Sequence, residues 1–488
     1  MAKKSVIKNY IYNLTYQILL LILPVITTPY LSRVLGAEGI GIYSYTVSIV
    51  TYFILFGSLG IAMYAQREIA YVQNDKEKRS KIFWEVFILR AITLTISLVI
   101  FYFTFAMKGK YSIYYRILIL EIVANMLDIS AFFQGMEEFK KIIKRNLIVK
   151  VISIASIFLF VKTSDDVNIY LLIYVLSTLI GNLSLWFYIP KYIKRISIKK
   201  LELKKHLKPT IMLFIPQVAS QIYIVLDKTM IGMLVVDKAE VGYYEQSQKI
   251  VKIILTLATS LGTVMLPKIA NDFANGKKET IKRSIQNSFN FIYFLSIPMM
   301  VGLIVVTPDL IPWFLGEGFD KSIYITYTIS PIMLMIGLSS VIGTQYLLPT
   351  KKQKQYTISV IAGAITNVIL NYILIQKYLS VGAAIATVVA ETTVTGVQFY
   401  FIRKDFNVKE ILKMSLKYFL ATMIMCILLI FLNKMVFDDL SSLIRMLVDV
   451  GVGVIVYIGL LVILRDQFTK KIIMKIVNLK NKGENYEI

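Results

Sequence analysis

The chain has 488 residues, 57% hydrophobic and 17% charged, with a mean hydropathy of +0.67 and a formal net charge of +24. No water-soluble domain of this length needs so much apolar surface, which points to a membrane protein. The basic excess would suit nucleic acid in a soluble protein, but Lys and Arg gathered in alternate loops are the ordinary orientation signal of a membrane chain, so no nucleic-acid partner is expected.

Apolar stretches follow one another at 10–34, 40–65, 82–106, 112–135, 147–161, 168–190, 209–235, 241–266, 285–307, 322–348, 356–376, 380–402, 414–434 and 441–464. A hydrocarbon core of roughly 30 Å takes about 20 apolar residues of helix. Within it the backbone is satisfied only by helices or closed barrels, and these runs are too long for barrel strands. The expected fold is an all-α integral membrane protein of about 14 transmembrane helices. Lys3, Lys4 and Lys8 precede the first stretch as in a signal peptide, but no small-residue cleavage site follows, so it counts as a span. Most of the 54 Lys and Arg fall in segments on one side of this alternation, which predicts that both termini are cytoplasmic.

The longest internal basic segment, 191–208, follows six spans and divides the chain into an N-lobe (1–190) and a C-lobe (209–402), with two further spans and a basic tail at 403–488. Its Ile193, Ile196, Leu201 and Leu207 alternate with lysines, as in a segment lying on the anionic inner leaflet. An internal repeat supports the division. Ile40-Gly41-Ile42-Tyr43 recurs 201 residues later as Val241-Gly242-Tyr243-Tyr244, each behind an Ala-Glu pair, Ala37-Glu38 and Ala239-Glu240. An even number of crossings separates the copies, so the lobes are expected to be parallel repeats about an axis normal to the membrane, pseudo-symmetric and six helices each.

The segment Pro29-Tyr30-Leu31-Ser32-Arg33-Val34-Leu35-Gly36, the Gly41-Ile42-Tyr43 after it, and Asp227-Lys228 with Gly242-Tyr243-Tyr244 resemble the Wzx-type polysaccharide flippases. These belong to a superfamily of multidrug, oligosaccharidyl-lipid and polysaccharide exporters. The resemblance implies two six-helix lobes around a central cavity, two extra C-terminal helices and alternating access. It also implies a bacterial plasma-membrane protein whose cargo is an undecaprenyl-pyrophosphate-linked oligosaccharide moved from the inner to the outer leaflet. Membrane lipids, a polysaccharide polymerase and glycosyltransferases are the partners it suggests. A lipid II or multidrug exporter of the same superfamily is the alternative; a multidrug cavity should be less cationic.

Charges inside a bilayer cost about 2.5 to 3.5 kcal/mol on insertion scales, so those within spans should be paired or face water. Glu245, Lys249, Lys252 and Thr256 recur on one helical face; Gln217, Gln221 and Lys228 form a stripe beside Ser220 and Asp227; Ser44, Ser48 and Thr51 form another; Asn13 and Gln17 precede Arg33. Ammonium and guanidinium groups suit a pyrophosphate, and amides and hydroxyls suit sugars. The candidate substrate ligands are Lys249, Lys252, Lys228 and Arg33, with Asn13, Gln17, Gln217 and Gln221. The candidate ion-coupling carboxylates are Asp227, Glu245, Glu121 and Asp128, the last two set against a structural pairing with Arg90 or Arg116. Arg445 and Asp449, four residues apart, read as a self-neutralising pair.

No phosphate-binding G-x-x-x-x-G-K-[ST] loop occurs, so energy is expected from a gradient or from metabolism. His206 is the only histidine and Cys426 the only cysteine, so neither a cofactor nor a metal is expected. The longest outer loop, 307–321, contains only Asp309, Glu317 and Asp320 as acids, which argues against a membrane glycosyl polymerase and for a transporter rather than an enzyme.

Overall fold

The computed structural model describes residues 2–435, 440–471 and 474, with the side chains of 2–22, 198, 215–217, 219–220, 222–224 and 263–264 outside the description. Among the described residues all regular structure is helical, and ten helices are long and apolar enough to cross a membrane. The protein is therefore a multi-pass membrane protein. The chain gathers into two compact units, Met1–Glu245 and Gln246–Ile488.

In the first unit α1 (Ala2–Ser58) carries the first two apolar stretches end to end. The chain reverses between them at a single residue, Gly36, whose φ of 65° is open to glycine and costly for other residues. The second stretch ends sooner than its hydropathy suggests: Leu59 and Gly60 turn with positive φ, and a short α2 (Ile61–Tyr71) follows. α3 (Lys76–Phe101) is capped by Asp75, whose carboxylate accepts the Glu77 and Lys78 backbone N–H groups at 3.1 and 3.0 Å. The fourth stretch breaks into α4 (Ser112–Met126) and α5 (Ser130–Gly135). Then come α6 (Phe139–Phe160), α7 (Val167–Trp186), α8 (Ile189–Tyr192), α9 (Lys204–Leu234) and α10 (Ala239–Ala274), the last running across the boundary into the second unit. α6 starts eight residues before the expected span because Lys140, Lys141, Lys144 and Arg145 mask its first two turns in a hydropathy reading.

The basic linker differs from the expected surface anchor. Ile193 is buried with Ile69, Phe132, Phe133 and Leu185 in one apolar core. Glu85 of α3, fully buried, accepts the Glu202 backbone N–H at 2.8 Å and meets Lys205 Nζ at 3.1 Å. The His206 ring bridges Glu85 at 2.8 Å and the Tyr64 hydroxyl at 2.7 Å. A buried carboxylate must be fully partnered, and the linker supplies those partners, so it is tied to α2 and α3.

The second unit continues with α11 (Lys278–Leu315), α12 (Asp320–Ile329), α13 (Ile332–Ser339), a wider-wound segment Ser340–Leu347, α14 (Gln353–Ile402), α15 (Val408–Met435) and α16 (Ser442–Ile463). α14 holds the eleventh and twelfth stretches, reversing at Leu379. Tyr418 of α15 and Tyr457 of α16 fix the last two spans to α11 by donating to Asn290 Oδ1 at 3.3 Å and the Phe294 carbonyl at 2.9 Å. Arg445 and Asp449 do not form the expected local pair. Arg445 reaches Asp309 of α11 at 3.8 Å, while Asp449 is turned inward and accepts from Asn433 at 2.9 Å.

Candidate functional site

The site in the first unit is built on a contact between the two copies of the sequence repeat. A Cβ on Gly41 of α1 would lie 1.7 Å from the Lys238 carbonyl oxygen, and one on Gly242 of α10 would lie 2.0 Å from the Ala37 carbonyl oxygen. The two approaches are reciprocal, each copy's glycine meeting the carbonyl four residues before the other's. One turn further along, Ser44 Oγ donates to Glu245 Oε2 at 3.2 Å, again across 201 residues. The repeat is thus a pseudo-two-fold helix crossing, and only residues without a side chain let the backbones meet this closely.

Charge sits beside that crossing. Lys228 of α9 and Glu245 of α10 form an ion pair of 2.7 Å, their side chains 18% and 17% exposed. Asp227, adjacent to Lys228 but about 100° around the helix, accepts from the Tyr244 hydroxyl, so the two neighbours both engage α10. Thr229 donates to Ser48 of α1 at 2.9 Å. Lys228 is six residues before the end of α9 and Glu245 six after the start of α10, placing the pair about 9 Å in from those ends.

Other sequence-derived candidates divide. Arg33 is exposed and donates to the Pro29 carbonyl at 3.1 Å; Gln221 is exposed. The side chains of Asn13, Gln17 and Gln217 lie outside the described residues. In the second unit Lys249 is half-buried, and Lys252 is exposed and donates to Gln248 Oε1 at 2.9 Å. Glu121 is buried on α4, with Asn125 Nδ2 3.4 Å from its Oε1 and its Oε2 without a hydrogen-bond partner. Asp128 does not continue that stripe, because α4 ends at Met126. It occupies the helix break, where its carboxylate accepts the Ser130 N–H at 2.8 Å and its carbonyl accepts from Arg90 at 2.9 Å. Arg116 donates to the Ala106 carbonyl at 3.1 Å and so closes the end of the preceding helix. Asp128 therefore caps the helix break, beside Arg90.

The model of the family described as "Polysaccharide biosynthesis protein" matches residues 6–272. The chain belongs to the polysaccharide biosynthesis protein family. The MatE family model also matches, over residues 209–373. Among curated relatives, the "Putative O-antigen transporter" of Escherichia coli (strain K12) is 24% identical over 83% of this chain and 98% of its own length. The "Lipid II flippase MurJ" of Thermosipho africanus (strain TCF52B) is 30% identical over 41% of this chain and 40% of its own. A solved lipid II flippase MurJ in an inward closed conformation superposes with a TM-score of 0.76 at 21% identity, covering 94% of this chain and 99% of that one, which shows the shared fold.

Two features of this family member escape a sequence reading. Lys238, in the short link between α9 and α10, is buried. Its Nζ donates to the carbonyls of Gly232 and Val235 at 2.8 Å and of Val236 at 3.3 Å, closing the end of α9. Nothing in the sequence separates such a lysine from a solvated loop residue. The second is Arg145 on the early turns of α6, whose guanidinium donates to Asn182 of α7 at 2.7 Å and Asn146 at 2.9 Å. Lys144, Arg145 and Lys150 within seven residues of one long helix are the available signal.

Proposed function

We propose that this polysaccharide biosynthesis family member is a flippase that carries a polyprenyl-pyrophosphate-linked oligosaccharide from the inner to the outer leaflet by alternating access, with both termini cytoplasmic. The observation that carries the reading is the Lys228–Glu245 pair beside the Gly41/Gly242 crossing, in a chain similar over 83% of its length to a putative O-antigen transporter. Removing one member of a half-buried ion pair leaves the other charge uncompensated, so the empty carrier keeps the two together. A pyrophosphate offers Lys228 a charge-assisted partner that displaces Glu245. Glu245 then takes a proton or a cation, which couples cargo binding to an ion. Lys249, Lys252 and Arg33 serve as further cationic contacts, and Asn13, Gln17, Gln217 and Gln221 as partners for sugar hydroxyls. Asp227 tunes the site through Tyr244, and Glu121 is a second proton carrier.

Depletion in cells, followed by leaflet-resolved labelling of the lipid-linked glycan, tests this. Cytoplasmic-side accumulation relieved by the intact gene and not by Lys228→Gln supports it; unchanged distribution refutes it. The MurJ similarity favours lipid II as the second cargo, and the same experiment separates them, since a lipid II carrier leaves the surface glycan's intermediate undisturbed.

A further inference from the structure

We infer that a polar cleft between α6 and α7 is a second anion subsite, which holds the phosphate group of the lipid-linked cargo midway across the membrane. The inference rests on the flippase reading and adds residues to it. The cleft has a volume of about 170 Å³ and is lined by Arg145, Lys150, Asn146 and Ser153 of α6 and by Ser177 and Asn182 of α7, among others. None of its lining residues is acidic. Glu121, whose carboxyl interacts with the lining residues Thr178 and Tyr174, does not itself line it.

Depth sets the requirement for a counter-anion. Lys150 is ten residues before the end of α6 at Phe160, and Ser177 is ten after the start of α7 at Val167. At 1.5 Å per residue both lie about 15 Å from the loop that joins the helices, which in the proposed topology, with α6 crossing beside α7, is half of a roughly 30 Å hydrocarbon core. Lys150 is exposed on the surface of the unit. An ammonium at that depth costs about 2.5 to 3.5 kcal/mol on insertion scales unless it meets water or an anion. Arg145 lies five residues, about 7.5 Å, nearer the cytoplasmic end, and its bonds to Asn182 and Asn146 hold the guanidinium plane in place. Two cations separated by one and a half turns, with hydroxyl and amide groups between them, suit a phosphate or pyrophosphate bearing a sugar. The headgroups of bulk phospholipids remain at the surface, about 15 Å away, whereas a cargo in transit passes this level.

The test is binding of farnesyl pyrophosphate, a short polyprenyl probe, to the full-length chain in nanodiscs. It is made in a Lys228→Gln background so that the cleft is read apart from the paired site. Lys150→Gln, at an exposed position that folding tolerates, is expected to weaken the probe about tenfold or more, and Lys150→Arg to preserve it. Competition by inorganic pyrophosphate, with none from added phosphatidylglycerol, identifies the phosphate of the cargo class as the ligand. Equal affinity in Lys150→Gln and its parent overturns the cleft and leaves the flippase reading standing. Displacement of the probe by phosphatidylglycerol also overturns it, assigning the cleft to ordinary lipid. Absence of probe binding in the unmutated protein refutes the flippase reading on which the cleft depends.

Discussion

Gly41→Val perturbs the crossing on which the site is built. Its Cβ would fall 1.7 Å from the Lys238 carbonyl oxygen, against a normal C···O contact of about 3.3 to 3.6 Å, so the backbones must part by roughly 1.5 Å or more. Overpacking of this kind costs about 1 to 3 kcal/mol, a factor of roughly 5 to 150 in an equilibrium constant. With both termini cytoplasmic, as proposed, the crossing lies toward the outer ends of α1 and α10; we propose that it closes the pathway there, so that the penalty falls on the closed form alone. The assay is labelling of Ser48→Cys, a buried position beside Thr229, by a membrane-impermeant maleimide added outside, after Cys426→Ser. Labelling should accelerate by about that factor, and likewise for Gly242→Val. Gly451→Val, where an added Cβ meets nothing within 4 Å, should leave the rate unchanged. An unchanged rate in well-folded Gly41→Val protein would refute the closure reasoning.

Three further outcomes are expected. His206→Ala removes one partner from the buried Glu85 carboxylate and should lower stability by about 1 to 3 kcal/mol, read as an earlier melt that Tyr64→Phe reproduces more weakly. Burial pushes the Asp466 carboxyl up, but Lys417 and the Thr469 N–H and hydroxyl outweigh it and hold the group below its usual range. A depressed carboxyl stabilises the fold above its unfolded pKa of about 3.9 and loses that contribution as pH falls through the folded value. Acid melting below about pH 4 should therefore be shallower in Asp466→Asn than in its parent. Lys238→Met leaves three carbonyls at the end of α9 without their donor, and thermal unfolding should show a loss of about 1 to 3 kcal/mol.

The helical class was legible because hydrocarbon enforces it residue by residue, and the apolar stretches report that directly. The boundaries were less so. A hydropathy reading begins the fifth span at 147, yet α6 starts at Phe139, since Lys and Arg are compatible with a helix even where they are unwelcome in lipid. Its cationic turns went unnoticed for the same reason. The 201-residue repeat was visible as letters, but that Gly41 and Gly242 touch follows only from three-dimensional packing. Helical spacing put Glu121 and Asp128 on one stripe because periodicity assumes an unbroken helix, and the break after Met126 removes that premise. Adjacent Asp227 and Lys228 point about 100° apart along α9, yet both engage α10. Glu245, the partner of Lys228, reads along the sequence with lysines on its own helix. Spacing along one helix ranks candidates on that helix and says little about which facing helix supplies the partner.

The most direct measurement is leaflet-resolved transfer of a pyrophosphate-linked oligosaccharide in proteoliposomes holding the purified chain. A hydrogen bond to a charged group contributes about 1.5 to 3 kcal/mol, so Lys228→Gln should slow transfer roughly 10- to 150-fold. Transfer at the same rate with glutamine at 228, or none with the intact chain, would contradict the account.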